Sequence, residues 1–202
     1  MTHKPFFIDL RAKRILILGG GEIAIRKLGA FSGSGALITL IAPKINAKLP
    51  ELAEKIERYA AVDDITKAFF MVIIATNDKA FNEAASKRCE DEGILYNRCD
   101  DGLSGNVVIP KLKQCGIINA AVYSEGVPAV SKYVYENLDS VITPELAALA
   151  GLLKDLRAEL KSNSSSTCKN KEIIAGLLNK ENLERIKRGE LDSLKQEVMS
   201  CH

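Results

Sequence analysis

Tryptophan is absent from this 202-residue chain, and its two histidines, His3 and His202, stand at the two ends. The cysteines are Cys89, Cys99, Cys115, Cys168 and Cys201, an odd number with no C-x-x-C spacing. A structural zinc site needs clustered thiolate and imidazole ligands, so no metal is expected. Reduced thiols in a cytoplasmic protein are the expectation. No apolar run reaches the roughly 18 residues of a membrane span, so no membrane association is expected. The N-terminus lacks the basic, apolar and cleavage-site succession of a secretory signal, and none is expected. Neither charge sign dominates: 28 Lys plus Arg face 26 Asp plus Glu, a net +2. That balance leaves no polyanion footprint, so nucleic acid is not an expected partner. G-x-S-x-G and H-E-x-x-H are also missing, which leaves hydrolase readings without a handle.

What is present is an ordinary globular composition, 47% hydrophobic and 27% charged. The length suits one large domain, or one medium domain with a helical appendage. Residues 14–18, RILIL, form an apolar run that suggests a strand buried on both faces. Three glycines follow, then a helical pattern over 22–32 that Gly33 and Gly35 end. LITLIA at 37–42 is the next strand, stopped by Pro43. An amphipathic stretch at 47–57 leads to a weaker strand at 58–61. FFMVIIA at 69–75 is the strongest strand, followed by a helix at 79–92, Gly93, and a strand at 94–97. The alternation predicts an α/β fold, a Rossmann-like doubly wound parallel sheet. After Asp101 the pattern changes. Strands are expected at 107–110 and 117–123 with no helix between them, hence an antiparallel extension. A helix at 131–138 and another capped by Thr143 follow, then helix only, broken by a flexible polar linker at 162–167.

Three constellations carry chemistry. Gly19-x-Gly21-x-x-Ala24 lies between a strand and a helix. Gly19 permits a tight turn, Gly21 lets backbone approach a pyrophosphate, and Ala24 lets the helix lie close to the sheet. In this β-α-β setting the motif points to dinucleotide binding; a merely tight turn is the plainer alternative. The acidic residue usual about 20 positions on is missing, because the second strand ends Ile41-Ala42-Pro43-Lys44. Lys44 suits a 2′-phosphate, so NAD against NADP stays open. Asn97-Arg98-Cys99-Asp100-Asp101 follows a strand, where ligands of open α/β sheets bind. A solvated Asp-rich turn is the alternative. Tyr123-Ser124-Glu125-Gly126-Val127-Pro128 is a turn followed by Ser131 and Lys132. Ser124 can hydrogen-bond a carboxylate and Lys132 can pair with one; a capped turn with an exposed lysine reads equally well.

These residues carry a resemblance to the precorrin-2 dehydrogenase family, which includes the N-terminal module of siroheme synthase. The matching segments are Phe6 to Leu10; Ile17 to Ala24 with Arg26-Lys27; Ile73 to Asp78 with Asn82; and Asn97 to Asp101 followed by Ile109-Pro110. The resemblance covers about residues 5–140. It implies a Rossmann domain at 1–111, a small α+β dimerisation region at 112–143, a helical region at 144–202, and a homodimer. It implies NAD-dependent oxidation of precorrin-2 to sirohydrochlorin, and in some members insertion of ferrous iron. Its dinucleotide-contacting positions fall on Glu22, Ile23, Pro43 and Lys44, with Thr76 and Asn77 lining the crevice. Its catalytic aspartate falls on Asp100 and the serine of its later turn on Ser124. The family's Val-Val before the aspartates is Arg98-Cys99 here, a glycine of the later turn is Glu125, and that turn is one residue shorter before Pro128.

The implied reaction removes a hydride and a proton from the macrocycle. The resemblance makes NAD the hydride acceptor, and Asp100 is placed to take the proton or orient the ring. The substrate's eight carboxylates call for scattered cations such as Lys111, Lys113 and Lys132. Two other readings stand beside this one: a bifunctional enzyme that also inserts iron, and a non-catalytic dinucleotide-sensing module.

Overall fold

A computed structural model describes residues 3–45, 53–101, 104–163 and 167–200. The chain divides into two compact units, Met1–Pro110 and Lys111–His202.

The first unit is an open parallel sheet. Its strands are β1 (Arg14–Leu18), β2 (Leu37–Ala42), β3 (Ala53–Glu57), β4 (Met71–Ile74) and β5 (Leu95–Arg98). They lie side by side in the order β3-β2-β1-β4-β5, with every pairing parallel. The chain thus runs outward from β1 in one direction, then returns to place β4 on the other side of β1. Strand side chains alternate between faces. Ile15 and Ile17 join one buried cluster with Ala24 and Leu28 of helix α1 (Glu22–Gly29). Leu16 and Leu18 join a second cluster on the opposite face with Ala85 and Cys89 of α2 (Lys79–Glu92). Burial on both faces is why RILIL and MVII read as unbroken apolar runs.

Both ends of α2 follow from sequence. The Asp78 carboxylate accepts from the Phe81 amide at 3.0 Å, and Gly93 closes the helix in a left-handed conformation at φ 67°. The free edge of β5 is covered by side chains. Asn106 Oδ1 accepts from the Tyr96 amide at 2.7 Å while its Nδ2 donates to the Ile94 carbonyl at 3.1 Å. One side chain does the work of a neighbouring strand, and the Val107 amide adds a bond to the Tyr96 carbonyl at 3.0 Å.

The second unit opens with an antiparallel hairpin, β6 (Lys111–Cys115) and β7 (Ile118–Val122), followed by α3 (Pro128–Asn137). Helices α4 (Pro144–Asn163), α5 (Thr167–Leu177), α6 (Lys180–Lys187) and α7 (Leu191–Ser200) complete it. Leu149, Leu152, Leu156, Leu160, Leu194 and Val198 form its core. Thr143 Oγ1 accepts from the Leu146 amide at 3.2 Å and so caps α4.

Several boundaries differ from the sequence reading. The strand expected at 58–61 lies earlier, at Ala53–Glu57, inside the stretch expected to be amphipathic; the part of that stretch at 47–52 lies outside the described residues. β3 is an edge strand of which Ile56 packs on the core, and Glu54, Lys55 and Glu57 are exposed. Its charges therefore mask the alternation. Residues 107–110 form no strand, because they are used to cover β5 and end in a proline that cannot donate. The hairpin's first strand is instead the polar KLKQC. Helix covers 162–163 and resumes at 167, where a linker was expected; 164–166 lie outside the described residues. α1 stops at Gly29, three residues short of its expected end, in a run of tight turns over 30–34.

Candidate functional site

The turn after β1 is shaped by what surrounds each glycine. Gly19 has φ 112°, and a Cβ there would lie 2.3 Å from the Ala75 carbonyl oxygen. A Cβ on Gly20 would lie 2.5 Å from the Lys44 carbonyl oxygen and 2.9 Å from Ala42 Cβ. Both positions need glycine so that β1 can pass between the ends of β2 and β4. Gly21 differs: nothing lies within 4 Å of where its Cβ would be. The protein leaves that space open, directly at the N-cap of α1. The first intrahelical bond there runs from the Ile25 amide to the Gly21 carbonyl at 3.1 Å. The amides of Glu22, Ile23 and Ala24 precede it and so have no intrahelical acceptor. Ala24 is fully buried, so α1 lies close on the sheet.

A cleft of about 880 Å³ opens at this turn. Gly19, Gly20 and Gly21 form its floor, Pro43, Lys44 and Ile45 one wall, and Ala75, Thr76, Asn77 and Asp78 the other. Tyr59, Ala60 and Phe81 also border it. It lies beyond the carboxyl ends of β1, β2 and β4, where the strand order reverses. Open donors at a helix N-terminus, a glycine with free space before it and a cleft of this volume fit a dinucleotide pyrophosphate. Pro43 and Lys44 are exposed, and among the described residues no carboxylate lines the wall that follows β2.

Thr76 is tied into the fold by Asn82, a fully buried residue of α2. Thr76 Oγ1 donates to Asn82 Oδ1 at 2.5 Å, and Asn82 Nδ2 donates back to the Thr76 carbonyl at 3.0 Å. Asp100 follows β5 as Thr76 follows β4, since the register sets Arg98 beside Ile74. Arg98 Nε donates to Asp100 Oδ1 at 2.9 Å, and the pair is mostly shielded from water. The Arg98 guanidinium holds the Asp100 carboxyl below the usual carboxylate range, against the opposing effect of burial. Asp101 accepts from Ser104 Oγ at 2.6 Å.

The expected site residues thus fall in four places. Gly19, Gly21, Pro43, Lys44, Thr76 and Asn77 border one cleft. Glu22 and Ile23 form the exposed first turn of α1 and are not among the cleft's side-chain walls. Asp100 follows β5 level with Thr76 after β4 and is not among the cleft's lining residues. Ser124 and Lys132 belong to the second unit. There Ser124 Oγ donates to the Val127 carbonyl at 2.5 Å and accepts from the Ser131 amide at 3.2 Å, closing the turn before α3. Lys132 Nζ lies 3.7 Å from Glu136 on the exposed face of α3. Lys113 is ion-paired with Asp139, and Lys111 lies over the Tyr135 ring. Sequence reasoning missed Gly20, Tyr59 and Phe81. Gly20 was readable as the middle of a glycine triplet; Tyr59 carried no signal, because the strand before it was misplaced.

Cys89, Cys99 and Cys115 are free thiols, and burial pushes Cys89 up to about 12. Among the described residues no group of three or more His, Cys, Asp or Glu side chains could hold a metal ion, and no helix is long and apolar enough to cross a membrane.

The strand order, glycine turn and switch-point cleft define a dinucleotide-binding α/β protein of Rossmann type. Residues 6–111 match the family described as "Putative NAD(P)-binding", and the chain belongs to that family. It is 32% identical over 168 residues to siroheme synthase of Stutzerimonas stutzeri (strain A1501), covering 80% of this chain and 36% of that protein. It is 29% identical over 171 residues to siroheme synthase of Actinobacillus pleuropneumoniae serotype 3 (strain JL03), covering 80% of this chain and 34% of that protein. The chain therefore spans about a third of the length of these relatives. A solved structure of SirC, precorrin-2 dehydrogenase, shares the fold: TM-score 0.79 at 24% identity, over 96% of this chain and 100% of that one.

Proposed function

We propose that the protein oxidises precorrin-2 to sirohydrochlorin with NAD, in the cytoplasm and as a homodimer. The observation that carries this reading is a carboxylate held by an arginine at the strand end next to the dinucleotide cleft: Asp100 follows β5 level with the cleft-lining Thr76 after β4. A cofactor module alone needs no fixed acid there. The names of the relatives and of the structural neighbour supply the substrate class.

Gly19, Gly21 and the first turn of α1, Glu22 and Ile23, would hold the pyrophosphate, with Pro43 and Lys44 along the ribose of the adenosine half. Thr76 and Asn77 would border the nicotinamide half. Bound NAD supplies the acceptor for a hydride. The substrate loses that hydride with its electron pair and one proton, a net two-electron oxidation. Asp100, ionised before substrate arrives, accepts the proton on a carboxylate oxygen and then returns it to solvent. Ser124 and Lys132 are the proposed partners of the macrocycle's carboxylates.

The test is to mix the purified chain with precorrin-2 and NAD and follow the absorbance of sirohydrochlorin. NAD-dependent appearance of sirohydrochlorin is expected. Dinucleotide binding without turnover would overturn the reading in favour of a sensor.

A further inference from the structure

The Asp100 carboxylate is gripped more firmly than an acid on a surface turn needs to be. Arg98 reaches it with two bonds, Nε to Oδ1 at 2.9 Å and Nη2 to Oδ2 at 3.2 Å. Two parallel bonds fix the plane of a carboxylate as well as its distance. The third nitrogen, Nη1, donates to Glu83 on α2 at 2.6 Å, so the guanidinium is itself anchored from the far side. Side-chain exposure is 12% for Arg98 and 20% for Asp100. The parallel pairing of Arg98 with Ile74 sets Asp100, two residues on, level with the cleft-lining Thr76.

An ion pair between residues two apart on one strand end crosslinks no separate elements. Its Glu83 anchor is 75% exposed at the side chain, where an ion pair contributes little to stability. The arrangement therefore does little for the fold. What it does determine is where the carboxylate sits relative to Thr76. Geometry of this kind matters to a reaction, because a displacement of about 1 Å can cost on the order of a hundredfold in rate.

We propose that Arg98 is a positioning residue for the reaction: its bidentate contact fixes the Asp100 carboxylate at the strand end beside the dinucleotide crevice, level with Thr76. The inference rests on the reading of Asp100 as proton acceptor. It assigns a role to a residue whose side chain touches neither the cleft walls nor the reacting atoms.

A double-mutant cycle tests it. In the full chain, Arg98→Met should lower kcat for precorrin-2 oxidation by about tenfold or more, with NAD affinity by calorimetry unchanged. In an Asp100→Asn background the same substitution should have almost no further effect. Arg98→Lys, which keeps the charge and loses the second bond, should recover part of kcat. Equal factors in the two backgrounds would overturn the proposal, because a structural arginine costs the same whatever residue 100 carries. If Arg98→Met does not fold, Glu83→Gln takes its place: a smaller fall in kcat, again absent in Asp100→Asn, is expected, and no change would overturn the clamp. A wild-type chain that does not oxidise precorrin-2 would sink the functional reading instead. The clamp would then be read directly from the carboxyl carbon-13 resonance of Asp100. Its shift and titration should move in Arg98→Met, and an unchanged resonance in the folded variant would overturn it.

Discussion

Asp100 and Asp101 carry the same charge one position apart, and their surroundings separate them. Asp100 is held by Arg98 at the strand end beside the crevice, whereas Asp101 closes a short turn with Ser104. Asp100→Ala should lower the oxidation rate by roughly 10²–10⁴, the range for losing a general acid–base group, with dinucleotide affinity nearly constant. Asp101→Ala should be milder, and equal losses in steady-state kinetics would count against a special role for Asp100. The same contact sets a pH dependence. Arg98 depresses the folded-state pKa of Asp100, so the stabilisation is fully present above the unfolded value near 4 and is lost as pH falls through the folded value. Urea denaturation should show a steeper loss as pH falls below about 5 in the wild type than in Asp100→Asn. The glycines give a second contrast. Gly21 faces open space, so Gly21→Asp should leave the melting temperature nearly unchanged and abolish NAD binding by calorimetry, because the new carboxylate would sit where the pyrophosphate belongs. Gly19→Ala should instead cost stability, on the order of 1–3 kcal/mol, because its Cβ would press on the Ala75 carbonyl.

Among the elements, those buried on both faces were the most legible. β1, β2, β4 and α2 announce themselves through unbroken apolar runs, the Asp78 cap and Gly93, and the helix at Lys79–Glu92 has the bounds its sequence suggests. β3 and β6 were misplaced because an exposed strand has little apolar pattern to read. The glycine turn was legible in chemistry and incomplete in sterics, since the clash that requires Gly20 arises from Lys44, far along the chain. Asp100 could be nominated from its place after a strand; its clamp could not, because the Glu83 that anchors Arg98 reaches it only through the packing of α2 beside β5. The turn before α3 shows the reverse case, a sequence departure with a readable strain. Glu125 stands where the resembling family has glycine, and it adopts φ 28°, followed by Gly126 at φ 82°. Glu125→Gly should relieve a left-handed conformation worth about 1–2 kcal/mol, less about 0.4–1 kcal/mol for the freer unfolded chain. A rise in melting temperature is expected, and a fall would show that the glutamate's own contacts outweigh the strain.

For the whole molecule, the prediction turns on the exposed apolar side chains of the second unit. The section from β6 to the turn before α4 leaves Leu112, Val127, Val130, Tyr133 and Val141 between 44% and 69% exposed, a concentration of large apolar side chains on a small section of chain. Scattered apolar residues are ordinary on a surface, but several large ones this close along the chain are the kind a contact would bury, and a stable dimer needs about 800 Å² from each partner. The family resemblance supplies a second copy of this chain as the partner, with residues 107–138 as most of the interface. A sedimenting species of about twice the 22.0 kDa chain mass is therefore expected at micromolar concentration. Tyr133→Glu and Val130→Glu together should shift that species to the monomer, since burying two carboxylates in an apolar contact is far more costly than leaving them in water. The helical core built on Leu149, Leu156 and Leu194 involves neither position, so the far-ultraviolet circular dichroism of the variant should match the wild type. A wild-type chain that sediments at 22 kDa would remove the dimer, and an unshifted variant would move the interface away from α3.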